Sequence, residues 1–142
     1  MKVVLDTNVL VSGLLTPFGS SGEIVRMVFS NDLTLFLDAR ILAEYRDVLH
    51  RPKFCFNPDD VAVLLDFIKH YGQFVSGSPL SLPLPDRDDE PFLEVALSGK
   101  VAAFITGNAI YFPENLWKGL GLLSPTQFLE FYRKMISAQT KD

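Results

Sequence analysis

Carboxylates dominate the side chains of this sequence that could do chemistry. Asp6 stands in Leu5-Asp6-Thr7-Asn8, straight after a β-branched run. Asp86, Asp88 and Asp89 crowd one short stretch, Asp86-Arg87-Asp88-Asp89. Glu44 has Ile41 three residues before it and Val48 four after, which sets its carboxylate on or beside the apolar stripe of a helix. An unpaired charge there costs on the order of several kcal/mol and raises the pKa of the acid. Hard divalent cations such as Mg²⁺ take carboxylate and water oxygens, so a set of acids like this points to that chemistry. Each acid also has an ordinary structural use. Asp-Thr-Asn commonly starts an Asx turn. Glu44 could reach water from an edge position or pair with a lysine or arginine. The three aspartates could stabilise a helix N-terminus through its dipole, although their mutual repulsion favours a cation that gathers them.

Other chemistries fit less well. The histidines are His50 and His70, in no ligand-like spacing, which argues against a zinc hydrolase. Gly19-Ser20-Ser21-Gly22 lacks the lysine of a phosphate loop, and no Gly-x-Ser-x-Gly elbow occurs. Cys55, the single cysteine, lies between Phe54 and Phe56 and reads as a packed thiol rather than a nucleophile. One cysteine excludes an internal disulfide framework and fits a reducing, cytoplasmic setting.

The chain has 142 residues, 48% hydrophobic and 21% charged, the balance of a folded globule. We expect one domain over 1–137 and a frayed tail over 138–142. The opening MKVVLDTNVL reaches Asp6 too soon for a secretory signal, and no apolar run approaches the ~20 residues needed to cross a bilayer. A net charge of −4 argues against coating nucleic acid through bulk charge, whereas bound cations can supply positive charge locally.

The elements that must position these acids follow from periodicity and punctuation. Lys2 to Leu5 predicts a buried strand ending at Asp6. Ser20 with Glu23 fits a capping box opening a helix through about Phe29, closed by Asn31-Asp32. Leu33 to Asp38 predicts a second strand. Ala39 to His50 predicts a helix with Ile41, Leu42, Tyr45, Val48 and Leu49 on its inner face, ended by Pro52. Asn57-Pro58-Asp59-Asp60 starts the next helix, with Val61, Leu64, Leu65 and Ile68 inward and Gly72 at its end. Gln73 to Val75 predicts a short strand and Ser76 to Pro85 a loop. A helix over Pro91 to Ser98, closed by Gly99, and a strand over Val101 to Thr106 follow. Gly121 to Leu123 predicts the last strand, and Ser124-Pro125 with Gln127 the last helix, with Phe128, Leu129, Tyr132 and Ile136 inward. Alternating strands and helices imply an α/β fold with a parallel sheet covered on both faces. In such sheets ligands bind beyond the carboxyl ends of the strands, where Asp6 falls.

Taken together, Val-Val-Leu-Asp6-Thr7-Asn8, the run from Glu44 to Phe54, Asp86 to Glu94, Phe104-Ile105-Thr106-Gly107-Asn108 and Leu123 to Leu129 resemble the PIN-domain ribonucleases. The likeness covers nearly the whole chain, and is closest to the branch of toxin components of bacterial toxin–antitoxin systems. It implies a three-layer α/β/α Rossmann-like fold with a mainly parallel sheet, and acids around one or two Mg²⁺ or Mn²⁺ ions. By position Asp6 matches the family's first acid, Glu44 the second and Asp89, three residues before Phe92, the third; Asp86 or Asp88 could share that role. The fourth acid of the family follows Thr-Gly, where this chain has Asn108. An amide oxygen can ligate a hard cation but brings no charge, so a weakened or inactive RNA- or protein-binding module is the alternative. Glu114 is a candidate substitute. The resemblance implies a metal-dependent endoribonuclease, with Asn8, Thr106 and Asn108 as supporting polar groups. Arg40, Arg46, Arg51 and Lys53, around the Glu44 helix, are candidates to grip RNA, although a solvated helix face is the better explanation of any single one. It also implies an antitoxin partner and a homodimer. Phe112 and Trp117, in a loop-like stretch after the Asn108 strand, could form an interface, but packing under the final helix explains them better.

Overall fold

The computed structural model describes residues 1–108 and 119–139. Five strands form one sheet: β1 (Lys2–Leu5), β2 (Thr34–Leu37), β3 (Gln73–Phe74), β4 (Ala103–Ile105) and β5 (Leu122–Leu123). Their order is β3-β2-β1-β4-β5, and every neighbouring pair runs parallel. Parallel strands need long crossovers, and helices fill them. These are α1 (Thr7–Leu15), α2 (Ser20–Phe29), α3 (Ala39–Leu49), α4 (Pro58–Tyr71) and α5 (Glu90–Gly99), with α6 (Pro125–Gln139) following β5. The result is the α/β/α arrangement expected of the sequence.

β1 is the central strand, paired with β2 on one side and β4 on the other. Val3, Val4 and Leu5 are all buried, so the strand shows a continuous apolar run rather than alternation. Each such side chain stabilises the fold by roughly 1.5–3 kcal/mol. From β1 the chain winds outward through β2 to β3, then returns to the other side of β1 as β4 and β5. The direction reverses between β1 and β4, so the crevice of a doubly wound sheet lies at the carboxyl ends of those two strands.

Local chemistry sets most boundaries. Asn57 caps α4, its side chain accepting from the amides of Asp59 and Asp60. Asp38 caps α3 by accepting from Ile41 N–H at 3.0 Å. Ser124 and Gln127 cap α6 reciprocally, at 3.2 and 3.0 Å. The Ser20–Glu23 box does not form. Gly19 occupies the cap position without a side-chain bond; Ser20 meets the Thr126 hydroxyl and Glu23 pairs with Arg133. Both groups are drawn to α6 instead of back to their own helix. On α6, Phe128 and Leu129 are buried as expected, but Ile136 is 41% exposed, because only the first part of that helix meets the core. The helix runs through Gln139, past Ala138 where fraying was expected. Lys100 rather than Gly99 takes the left-handed turn after α5, with φ 49°.

The helix α1 leaves no clear signature, since Val9, Leu10 and Val11 are consecutive, β-branch-rich and all buried. It forms because α2 crosses it closely: a Cβ on Gly13 would stand 2.7 Å from Ser21 O. Cys55 is not packed. It is exposed in a left-handed turn, its Sγ 3.3 Å from Pro52 O.

Candidate active site

Asp6 ends β1 and takes the cap position of α1. It is 6% exposed, and its carboxylate makes no capping bond. Instead the Thr106 hydroxyl, at the end of β4, donates to Asp6 Oδ2 at 2.7 Å. Burial pushes the Asp6 carboxyl above the usual range; that hydroxyl and the neighbouring amides of Asn8 and Thr7 oppose the shift. Thr106 is fully buried and also accepts from Asn108 N–H at 3.0 Å. One hydroxyl therefore ties the first acid to the Asn108 turn. The Asn8 side chain lies on the exposed side of α1.

Glu44 comes from α3, where it is half-buried between buried Ile41 and Val48. The Thr7 hydroxyl donates to Glu44 Oε2. Next to it, Tyr45 is fully buried and donates to the carbonyl of Leu5 at 2.6 Å, and its ring packs against Phe92. These contacts bring α3 to the carboxyl end of β1. Burial raises the Glu44 pKa, Thr7 lowers it, the charges of Asp6 and Asp88 raise it, and Arg51 lowers it.

Asp89 closes a short 3-10 turn, Arg87–Asp89, and leads directly into α5. It is half-buried, whereas Asp86 and Asp88 are exposed. Asp86 accepts from Asp88 N–H at 2.9 Å and shapes the turn. The Asp89 carboxyl is pushed up to about 6, first by burial and then by the charges of Asp6, Asp86, Glu44 and Asp88. Three stretches of chain thus bring Asp6, Glu44 and Asp89 within electrostatic reach of one another. Among the described residues, no three acids, histidines or cysteines already close on a common point.

The loop over 76–85 that leads to Asp86 is held from α5. Glu94, 7% exposed, accepts from Leu80 N–H at 3.4 Å and pairs with Arg40 at 2.8 Å. Glu90 accepts from Leu84 N–H at 2.8 Å. The sequence reading missed Glu94, whose partner Arg40 lies far from it in the chain. Arg40 is correspondingly a structural cation, bound to Glu94 and to Asp38 at 2.7 Å. Arg46, Arg51 and Lys53 are exposed; Arg51 pairs with Asp47 at 3.3 Å, and Lys53 lies over the Phe54 ring. Phe112, Glu114 and Trp117 lie outside the described residues.

The donor set fits a hard cation. Its members are oxygens without histidine or thiolate, and among the described residues Arg51 is the one basic side chain acting on Glu44, against two acids. Among the described residues no helix is long and apolar enough to cross a membrane.

The uncharacterized protein MJ1680 of Methanocaldococcus jannaschii is 27% identical over 148 residues, a match spanning 96% of this chain and 95% of that protein. Among solved structures, VapBC2 from Rickettsia felis bound to a DNA fragment from their promoter has a similar fold. Its TM-score is 0.57 at 15% identity, covering 86% of this chain and 97% of that one. Residues 2–109 match the PIN domain, and the chain belongs to that family.

Proposed function

We propose that the protein is a metal-dependent endoribonuclease and the toxin of a toxin–antitoxin pair. The observation that carries this is the state of Asp89, whose carboxyl is raised to about 6 first by burial and then by the charges of Asp6, Asp86, Glu44 and Asp88, gathered from three segments of the chain. Such repulsion is costly unless a cation offsets it. Asp6, Glu44 and Asp89 would hold Mg²⁺ or Mn²⁺, with Asp86, Asp88 and Asn108 as the further oxygens at hand. When bound, the cation would acidify a coordinated water and offset charge on the phosphoryl oxygens of RNA.

The chain's own groups supply the rest. Thr106 fixes one oxygen of Asp6, leaving the other for ligation. Asp89 holds a proton below about pH 6 and must release it before it can ligate. Arg51, whose charge acts on Glu44, and the exposed Arg46 and Lys53 near it in sequence would offer positive charge to a polyanionic strand, which an acidic protein otherwise repels.

The test compares cleavage of single-stranded RNA by the purified protein with Mn²⁺, Mg²⁺ or EDTA, and by Asp6→Asn. Cleavage with metal, abolished by EDTA and by the substitution, supports the proposal. Cleavage surviving both removes it.

A second function, a PIN-fold module that binds RNA or protein without cutting, is favoured by one observation: Asn108 follows the buried Thr106 where the family has an acid. Asn108→Asp separates the two. A large gain in metal binding and cleavage marks the natural protein as impaired, and no gain in an active protein retires the module. The likeness to toxin components and to the VapBC2 fold supports an antitoxin partner. A homodimer is the further partner that the family likeness suggests. Light scattering that finds a monomer at micromolar concentration counts against the dimer.

A further inference from the structure

Two consecutive residues of α3 are tied to the two residues that flank Asp6. Tyr45 donates to the Leu5 carbonyl, and the Thr7 hydroxyl donates to Glu44 Oε2. The first bond is buried and holds the body of α3 against the end of β1. The second acts on a side chain. Glu44 is long and would otherwise spread over several rotamers in a half-buried position. Thr7 itself is 5% exposed and stands at the first position of α1. Its hydroxyl is therefore aimed by a helix start whose direction Asp6 shares.

We infer that Thr7 is a positioning residue for Glu44: its hydroxyl occupies Oε2 and leaves Oε1 as the oxygen presented to a cation held with Asp6. The inference rests on Glu44 and Asp6 being ligands, as proposed above. Thr106 does the same for Asp6, so each carboxylate has one oxygen anchored by a threonine and one left to ligate. The two anchors differ in origin. Thr106 comes from a neighbouring strand, whereas Thr7 is covalently next to the acid whose partner it orients. Asp6 and Glu44 are thereby coupled through a single peptide unit.

The test uses Thr7→Val, which keeps the shape and removes the donor, and Thr7→Ser, which restores it. Mn²⁺ affinity is measured by electron paramagnetic resonance on proteins shown to be equally folded. Partners that orient a metal ligand are worth about 10- to 100-fold in affinity, so Thr7→Val should weaken Mn²⁺ by that factor and Thr7→Ser should recover most of it. An unchanged affinity in Thr7→Val, or a loss that serine does not repair, overturns the inference. Crystal structures of the wild type and Thr7→Val give a readout independent of metal: the Glu44 carboxylate should swing to another rotamer when the hydroxyl is gone. If the wild type binds no Mn²⁺, the cation role of Glu44 fails. The rotamer comparison then still decides whether Thr7 orients it, and an unmoved Glu44 refutes that too.

Discussion

Thr106 reaches across the β1–β4 pair to place its hydroxyl 2.7 Å from Asp6 Oδ2, and both side chains are buried. The two residues stand 100 positions apart in the chain. Thr106→Val keeps the volume and removes the donor, leaving a buried carboxylate without it. The expected loss is about 1–3 kcal/mol by urea denaturation. It should be larger at pH 7 than at pH 4, because the missing bond favours the charged form of Asp6. Thr106→Ser should recover most of it.

Asp89 titrates against its neighbours. Its folded pKa, about 6, lies above the ordinary carboxylate value. Stability from such a group is present below the ordinary value and lost as pH rises through about 6. Without metal, the protein should therefore weaken between about pH 4 and pH 6, against the trend of carboxylates paired with cations. Partial exposure keeps the step modest. Denaturation midpoints across that range should show it, and Asp89→Asn should flatten it. Mn²⁺ affinity should rise over the same interval as the proton leaves.

Arg40 holds Glu94, and Glu94 holds the loop that leads to Asp86, Asp88 and Asp89. Arg40→Ala leaves Glu94 buried with only the Leu80 amide at 3.4 Å. Arg40 is half exposed, so the cost should be about 1–2 kcal/mol rather than that of a fully buried pair. Limited proteolysis should show new cleavage within residues 76–85. If the loop stays as resistant as in the wild type, Arg40 is not its anchor.

Much of the scaffold was legible because it is written in local chemistry. The run from Lys2 to Leu5 is apolar throughout, and Asn57-Pro58 starts α4 as its composition requires. Ile41, Leu42, Tyr45, Val48 and Leu49 are the buried face of α3. The acids were visible as candidates for the same reason, through type and spacing. What was hidden depends on partners distant in sequence. The Thr7 and Glu44 bond spans 37 positions, and nothing beside Thr7 in sequence announces it. Ser20 and Glu23 read as a cap because their alternative partners, Thr126 and Arg133, arrive from α6. α1 was invisible because its valines favour a strand, while close packing against α2 makes it a helix.

That packing supplies a control remote from the acids. Gly13→Ala would press a methyl against Val25 Cγ2 at 2.5 Å and Ser21 O at 2.7 Å. Overpacking of this kind costs about 1–3 kcal/mol. The thermal midpoint should fall, and Mn²⁺ affinity of the folded fraction should stay at the wild-type value.

The most direct measurement is anomalous diffraction from a crystal soaked in Mn²⁺. The account predicts one strong peak bonded to oxygens of Asp6, Glu44 and Asp89, weakened or lost in Asp6→Asn. No peak among these carboxylates at millimolar Mn²⁺, or a peak that persists unchanged in Asp6→Asn, would contradict it.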